Sequence, residues 1–207
     1  MVLRAGERPG TRLGGLLGPS IPSGHRAAFG TPTRQHVGVL PIRTERLTIR
    51  AFTIEDVPAI HSVLYSDEDA MHFIGGPHSL ERTRQGIAGY IEHQRSAGYS
   101  FWAVTDTDSG ALIGEAGLYP MNGVGPDIEL GYALGRDWWG QGYATEAAGA
   151  ILDAAFDGLG AQRVVAVAKR ENTGSLHVLD KLGFRCEGER DAWGARQLLF
   201  VCDRTPS

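Results

Sequence analysis

Residues 128–168 constrain the fold of this chain more than any other stretch. An apolar strand, Ile128–Leu134, leads into a glycine-rich turn, a helix and a second buried strand, Arg163–Ala168. In the helix read over Ala144–Leu159, Ala147, Ala148, Ile151, Leu152, Ala155, Phe156 and Leu159 make one apolar stripe at helical spacing, and Gly160 stops it. A strand that returns beside its predecessor after such a crossover runs parallel to it, so the segment predicts a βαβ unit.

The flanks add antiparallel pieces. Arg46–Arg50 alternates as a strand does, and Thr53 followed by Asp56 announces a helix running to about Tyr65. Ser79 caps a second helix with Leu80, Ile87, Tyr90 and Ile91 on one side and Gly98 at its end. Phe101–Val104 and Ala111–Leu118 flank the turn residues Thr107–Gly110 and read as a hairpin. A short helix, Ser175–Leu182, closes at Gly183, and strands at Phe184–Arg190 and Gln197–Asp203 complete the chain. The expected class is α/β (α+β): a mixed, mostly antiparallel twisted sheet with helices on both faces.

A length of 207 residues with 42% apolar and 21% charged content suits one domain with one sizeable core. Residues 1–40 are rich in Gly, Pro and Arg, carry Glu7 as their single acid and show no apolar period. They predict a disordered tail before a single domain at 41–205. A net charge of -4 opposes a nucleic-acid partner, although a local basic patch stays open. The spacing of Cys186 and Cys202 fits neither a disulfide framework nor a metal knuckle, and both read as buried strand residues in a reducing cytoplasm. No apolar run approaches the ~20 residues of a membrane span, and no His/Cys/Asp/Glu cluster has metal spacing, so neither membrane nor metal is expected.

The chemistry lies in the turn between Leu134 and the long helix. Gly140 and Gly142 allow positive φ and a close backbone approach, while the first helical turn from Ala144 presents N–H groups without intrahelical partners. With roughly half a positive charge from the helix dipole at that end, an anion such as a pyrophosphate is a natural occupant. A triphosphatase loop needs Gly-Lys-Ser/Thr, which Gly142-Tyr-Ala-Thr145 lacks, and a dinucleotide fingerprint needs a third glycine where Thr145 stands. Gly-x-Gly by itself also serves as a plain tight connection before a buried helix.

The wider pattern resembles the GNAT acetyltransferase superfamily from Ile42 to about Asp203. Its branch of bacterial ribosomal-protein N-terminal acetyltransferases is matched in order by Thr44–Arg50, Glu129-Leu-Gly-Tyr132, Trp139–Ala147 and Asn172-Thr-Gly-Ser175 with Lys181-Leu-Gly-Phe184. That branch also contains small-molecule acetyltransferases, so the resemblance fixes the donor better than the acceptor. It implies acetyl-CoA as co-substrate, a splayed central parallel strand pair, and acetyl transfer by direct attack of a primary amine, either a protein N-terminal α-amine or a small molecule.

The loop Trp139-Gly140-Gln141-Gly142-Tyr143-Ala144, with Thr145, then cradles the coenzyme A pyrophosphate, Trp139 standing where the family has a polar residue. The pantetheine arm pairs with the strand at Leu130, Tyr132, Ala133 and Leu134, and Asn172 bonds the same arm or caps its helix. Backbone amides near Leu130 and Tyr132 polarise the thioester. Glu129 and Glu115 are the candidate bases, or else solvated strand positions. The family's usual tyrosine acid is replaced by Leu179, leaving Ser175 as substitute, with capping as its other role; Tyr132 and Tyr143 are weaker candidates. The acceptor is expected between the first two helices and the last hairpin, near His72, Phe73, His78 and the connection 119–126. Two other readings remain: a non-catalytic acyl-CoA-binding module, and a phosphate-binding regulatory domain. Edge strands at the C-terminal end leave a homodimer open.

Overall fold

The computed structural model describes residues 2–3 and 40–205. The sheet follows the order β1-β2-β3-β4-β5-β6-β8-β7. Its strands are β1 (Ile42–Arg43), β2 (Leu47–Arg50), β3 (Phe101–Asp106), β4 (Leu112–Pro120), β5 (Ile128–Leu134), β6 (Arg163–Ala168), β7 (Arg185–Ala192) and β8 (Ala195–Asp203). Every neighbouring pair is antiparallel except β5–β6. That pair meets in parallel at one register position, Glu129 opposite Val165, and then separates. The expected mixed sheet and splayed parallel pair are therefore present. Along the flank of β5 that splays away from β6, the two-residue strand Val2–Leu3 runs antiparallel to Tyr132 and Ala133.

The alternating strand pattern sends one set of side chains to each face. On one face, Leu47, Trp102, Val104, Leu118, Leu130 and Tyr132 pack beneath α4 (Tyr143–Asp153) and α5 (Thr173–Lys181). On the other, Phe101, Ala103 and Ala133 pack against α1 (Val57–Ile60), α2 (Glu68–Met71) and α3 (Leu80–Ala97). Burying a side chain such as Leu130 or Ile60 completely stabilises the fold by about 1.5–3 kcal/mol. Among the described residues, past β5 the second face is covered not by helices but by Met121 with Trp193, which pack on Val165, Val167, Leu199 and Val201.

Local signals placed most elements within two residues. Ser79 caps α3 by accepting the Arg82 amide at 3.2 Å, and Gly98 ends it at φ 81°. The long helix is shorter than its apolar stripe: regular α-helix stops at Asp153, and residues 154–158 form a wider turn. Similarly, the helix begun at Thr53 passes through a tight turn at Ile54–Asp56 and widens at His61–Tyr65. Two short elements, β1 and α2, carried too few residues to show a period. The expectation for Cys186 is corrected: β7 is an edge strand exposed on both faces, so Cys186 is exposed and Cys202 only half-buried. The tail assignment for residues 4–39 lies outside the described residues.

Candidate active site

Gly140 and Gly142 adopt φ of 73° and 85°, the left-handed region that favours glycine. Gly142 is the N-cap of α4 and supplies no capping side chain, so the amides that follow it await an external acceptor. A cavity of 590 Å³ opens against this turn. Its lining brings together Trp139, Gly140, Gly142, Thr145 and Asn172 of the expected cofactor residues. Gln141, Tyr143 and Ala144 are absent from that lining and serve the loop itself, and Leu130, Tyr132, Ala133 and Leu134 of the expected set are absent too, buried within β5. The Gln141 side chain donates to the Asp137 carbonyl at 2.8 Å, and Tyr143 packs edge-on against Trp138. Trp139 turns its indole inward and donates to the Leu134 carbonyl at 2.8 Å, which braces the end of β5.

A cation from the turn between β1 and β2 fastens the glycine turn from behind. The Arg46 guanidinium donates to Glu146 Oε2 at 2.7 Å and to the Gln141 carbonyl at 3.0 Å, and lies 4.2 Å from the centre of the Tyr143 ring. The Thr44 hydroxyl and the Arg46 amide donate to Glu146 Oε1 at 2.6 and 2.9 Å. Burial on its own raises the Glu146 carboxyl, but these donors and the Arg46 charge outweigh it and hold the group below the ordinary glutamate value of 4.5. The associated stability is therefore complete above the unfolded value and is lost as the pH falls through the folded one. Thermal unfolding between pH 6 and pH 3 is expected to show a shallower Tm decline in Glu146→Gln than in the wild type, with the variant already less stable at neutral pH; Asp56 and the other carboxylates held below their ordinary values supply the decline that remains. Parallel declines in the two proteins would exclude the clamp.

Asn172 caps α5, its Oδ1 accepting the Ser175 amide at 3.2 Å, and the residue also lines the cavity, so its place suits both expected roles. Ser175 lies inside α5, fully buried, and so is not itself the cap. Its carbonyl accepts from the Tyr132 hydroxyl at 3.3 Å, and burial pushes that phenol far above its ordinary value. Cavity residues that sequence reading missed are Thr173, His177 and Lys181, which recur at helical spacing on one face of α5. That period was visible in the sequence, but nothing local indicated that the face was open.

The two glutamates lie on the opposite side of the sheet from α4. Glu115 faces Ala133 across the β4–β5 ladder and Glu129 faces Tyr119, so they stand roughly 13 Å apart along the strands. Glu115 is 0% exposed and accepts from the Tyr65 hydroxyl at 2.7 Å. Glu129 is 4% exposed at the entrance of β5 and accepts from the Trp193 indole at 2.6 Å. His72 and Phe73 do not join them; they line a second cavity of 770 Å³ with Trp139 and Arg136, at the glycine-turn end of β5, and Phe73 also lines the 590 Å³ cavity. No metal-binding cluster occurs among the described residues, and no helix there is long and apolar enough to cross a membrane.

Residues 46–185 match the family described as Acetyltransferase (GNAT) domain. The uncharacterized N-acetyltransferase YnaD of Bacillus subtilis is 31% identical over 147 residues, 71% of this chain and 84% of that protein. A solved GNAT-family acetyltransferase from Bacillus anthracis superposes with a TM-score of 0.68 at 27% identity, covering 78% of this chain and 97% of that one. RimL, a ribosomal L7/L12 alpha-N-protein acetyltransferase solved in complex with coenzyme A, shares the fold at a TM-score of 0.65 and 18% identity, covering 79% and 97%.

Proposed function

Because the chain belongs to the GNAT acetyltransferase family, whose members draw on acetyl-CoA, we propose that it transfers the acetyl group to a primary amine by direct attack, with Glu129 as proton acceptor. The observation that carries this reading is the uncapped, glycine-led start of α4, open to the 590 Å³ cavity. The residues present fit coenzyme A. The uncapped amides that follow Gly142 offer donors to a diphosphate, Lys181 adds a cation, and an extended pantetheine arm would pair along the flank of β5 at Tyr132 and Ala133 in place of Val2–Leu3.

Acetyl-CoA supplies an activated acyl carbon. The acceptor nitrogen bonds to that carbon, the carbon–sulfur bond breaks, and the amine proton passes to the Glu129 carboxylate directly or through water. The role we assign to Ser175, buried on α5, is to donate a proton to the departing sulfur and to regain one from water, since Leu179 offers none. Glu115, sealed beneath Tyr65, is the less accessible of the two bases.

The acceptor class we favour is a protein N-terminal or small-molecule amine, and the enzyme acts in the cytoplasm. Incubation with acetyl-CoA and a panel of peptides, polyamines and aminoglycosides is expected to release free thiol with at least one of them. Silence across the panel with tight coenzyme A binding supports the non-catalytic module instead. Stronger thermal stabilisation by ATP than by acetyl-CoA would replace both with the phosphate-binding regulatory domain.

A further inference from the structure

Trp193 occupies a position where a bulky side chain is least expected. The β7–β8 hairpin turns through Trp193 and Gly194, between the paired Ala192 and Ala195, and both turn residues have positive φ, 53° and 78°. Such two-residue turns favour Asn-Gly, because a large L-residue is strained there and persists only where its surroundings hold it. Its backbone N–H donates to Asn122 Oδ1 at 2.8 Å, and Asn122 is itself left-handed at φ 55°. The ring covers the apolar cluster of Met121, Val165, Leu199 and Val201. The indole Nε1–H donates to Glu129 Oε2 at 2.6 Å.

A phenylalanine or leucine would serve the apolar cover, and an asparagine would relieve the turn. What tryptophan alone adds is an N–H donor on a rigid arm that reaches a buried carboxylate 64 positions away. We propose that Trp193 is a positioning residue for Glu129. Its indole fixes one orientation of the carboxylate, and Asn122 ties the hairpin turn to the connection on the acceptor side of β5. The inference rests on the reading of Glu129 as proton acceptor. Fixing the carboxylate assists the proton transfer, whereas acetyl-CoA binding depends on the glycine turn at the other end of β5 and is left alone.

The full chain labelled with 15N-tryptophan should give four indole signals, one for each tryptophan. Trp193→Phe identifies its own signal by loss. In Glu129→Gln the Trp193 signal is expected to shift, as a charged acceptor becomes neutral, more than those of Trp102, Trp138 and Trp139. With acetyl-CoA and either a short peptide with a free N-terminus or spermidine as acceptor, Trp193→Phe is expected to lower kcat about tenfold while the KM for acetyl-CoA holds. An unmoved indole signal in Glu129→Gln overturns the proposal whether or not either acceptor turns over. Wild-type kcat in Trp193→Phe with an inactive Glu129→Gln overturns it alone; wild-type kcat in Glu129→Gln removes the base reading together with it.

Discussion

Glu129→Gln is expected to reduce kcat by about 10²–10⁴-fold, the range a positioned general base contributes, with the affinity for acetyl-CoA unchanged. The amide keeps the shape of the side chain and still accepts the Trp193 indole, so the deficit isolates proton acceptance from packing. Its pH dependence identifies the acceptor. An α-amine with a pKa near 8 is largely neutral by about pH 9, so the deficit should shrink there, whereas an amine of lysine type, near 10.4, stays mostly protonated and the deficit persists. Rate profiles from pH 6 to pH 9.5 read this directly. A Glu129→Gln enzyme with wild-type kcat throughout, beside a silent Glu115→Gln, would transfer the role to Glu115.

The second large effect is expected at Gly142. Gly142→Val forces a β-branched residue to φ 85° and sets a Cβ 3.4 Å from Arg46 Nη2, where the clamp on Glu146 leaves the guanidinium little freedom to retreat. A left-handed L-residue costs about 1–2 kcal/mol before β-branching adds to it. A cost of about 2 kcal/mol lowers the population of the competent turn roughly 30-fold. Calorimetry is therefore expected to show coenzyme A binding weakened by about 30-fold or more. Gly140→Ala, which meets no atom within 4 Å, carries the conformational cost alone and should lose less. Equal affinities in Gly142→Val and wild type would remove the glycine turn from the cofactor site.

These two sites differ in how they were written into the chain. The glycine turn was legible because its signals are local: Gly140, Gly142 and the apolar stripe of α4 are neighbours in sequence and in space. The cap on α5 was half legible, since Asn172 and Ser175 were seen together but which of them accepts depends on a three-residue geometry. Trp193 was invisible as a site residue. Its partner Glu129 lies in another strand, and the left-handed turn that aims it is chosen by the β7–β8 register rather than by the residue's own preference. Trp139 illustrates the reverse. The family position implies a cofactor contact and the residue does line the cavity, yet its only indole N–H goes to Leu134 and braces the loop. Cys186 departs from expectation because an apolar-looking residue on an edge strand has no layer to face.

The lone register contact between Glu129 and Val165 divides the sheet into two stiff plates sharing a single rivet. Bending about that rivet disturbs few hydrogen bonds, so the gap beyond it can widen or narrow while each plate keeps its shape. A long thioester lodged across the gap, as proposed above, would act as a splint. Amide protons of residues 130–134 should then report loading by slower exchange, while those of β7 and β8 stay indifferent.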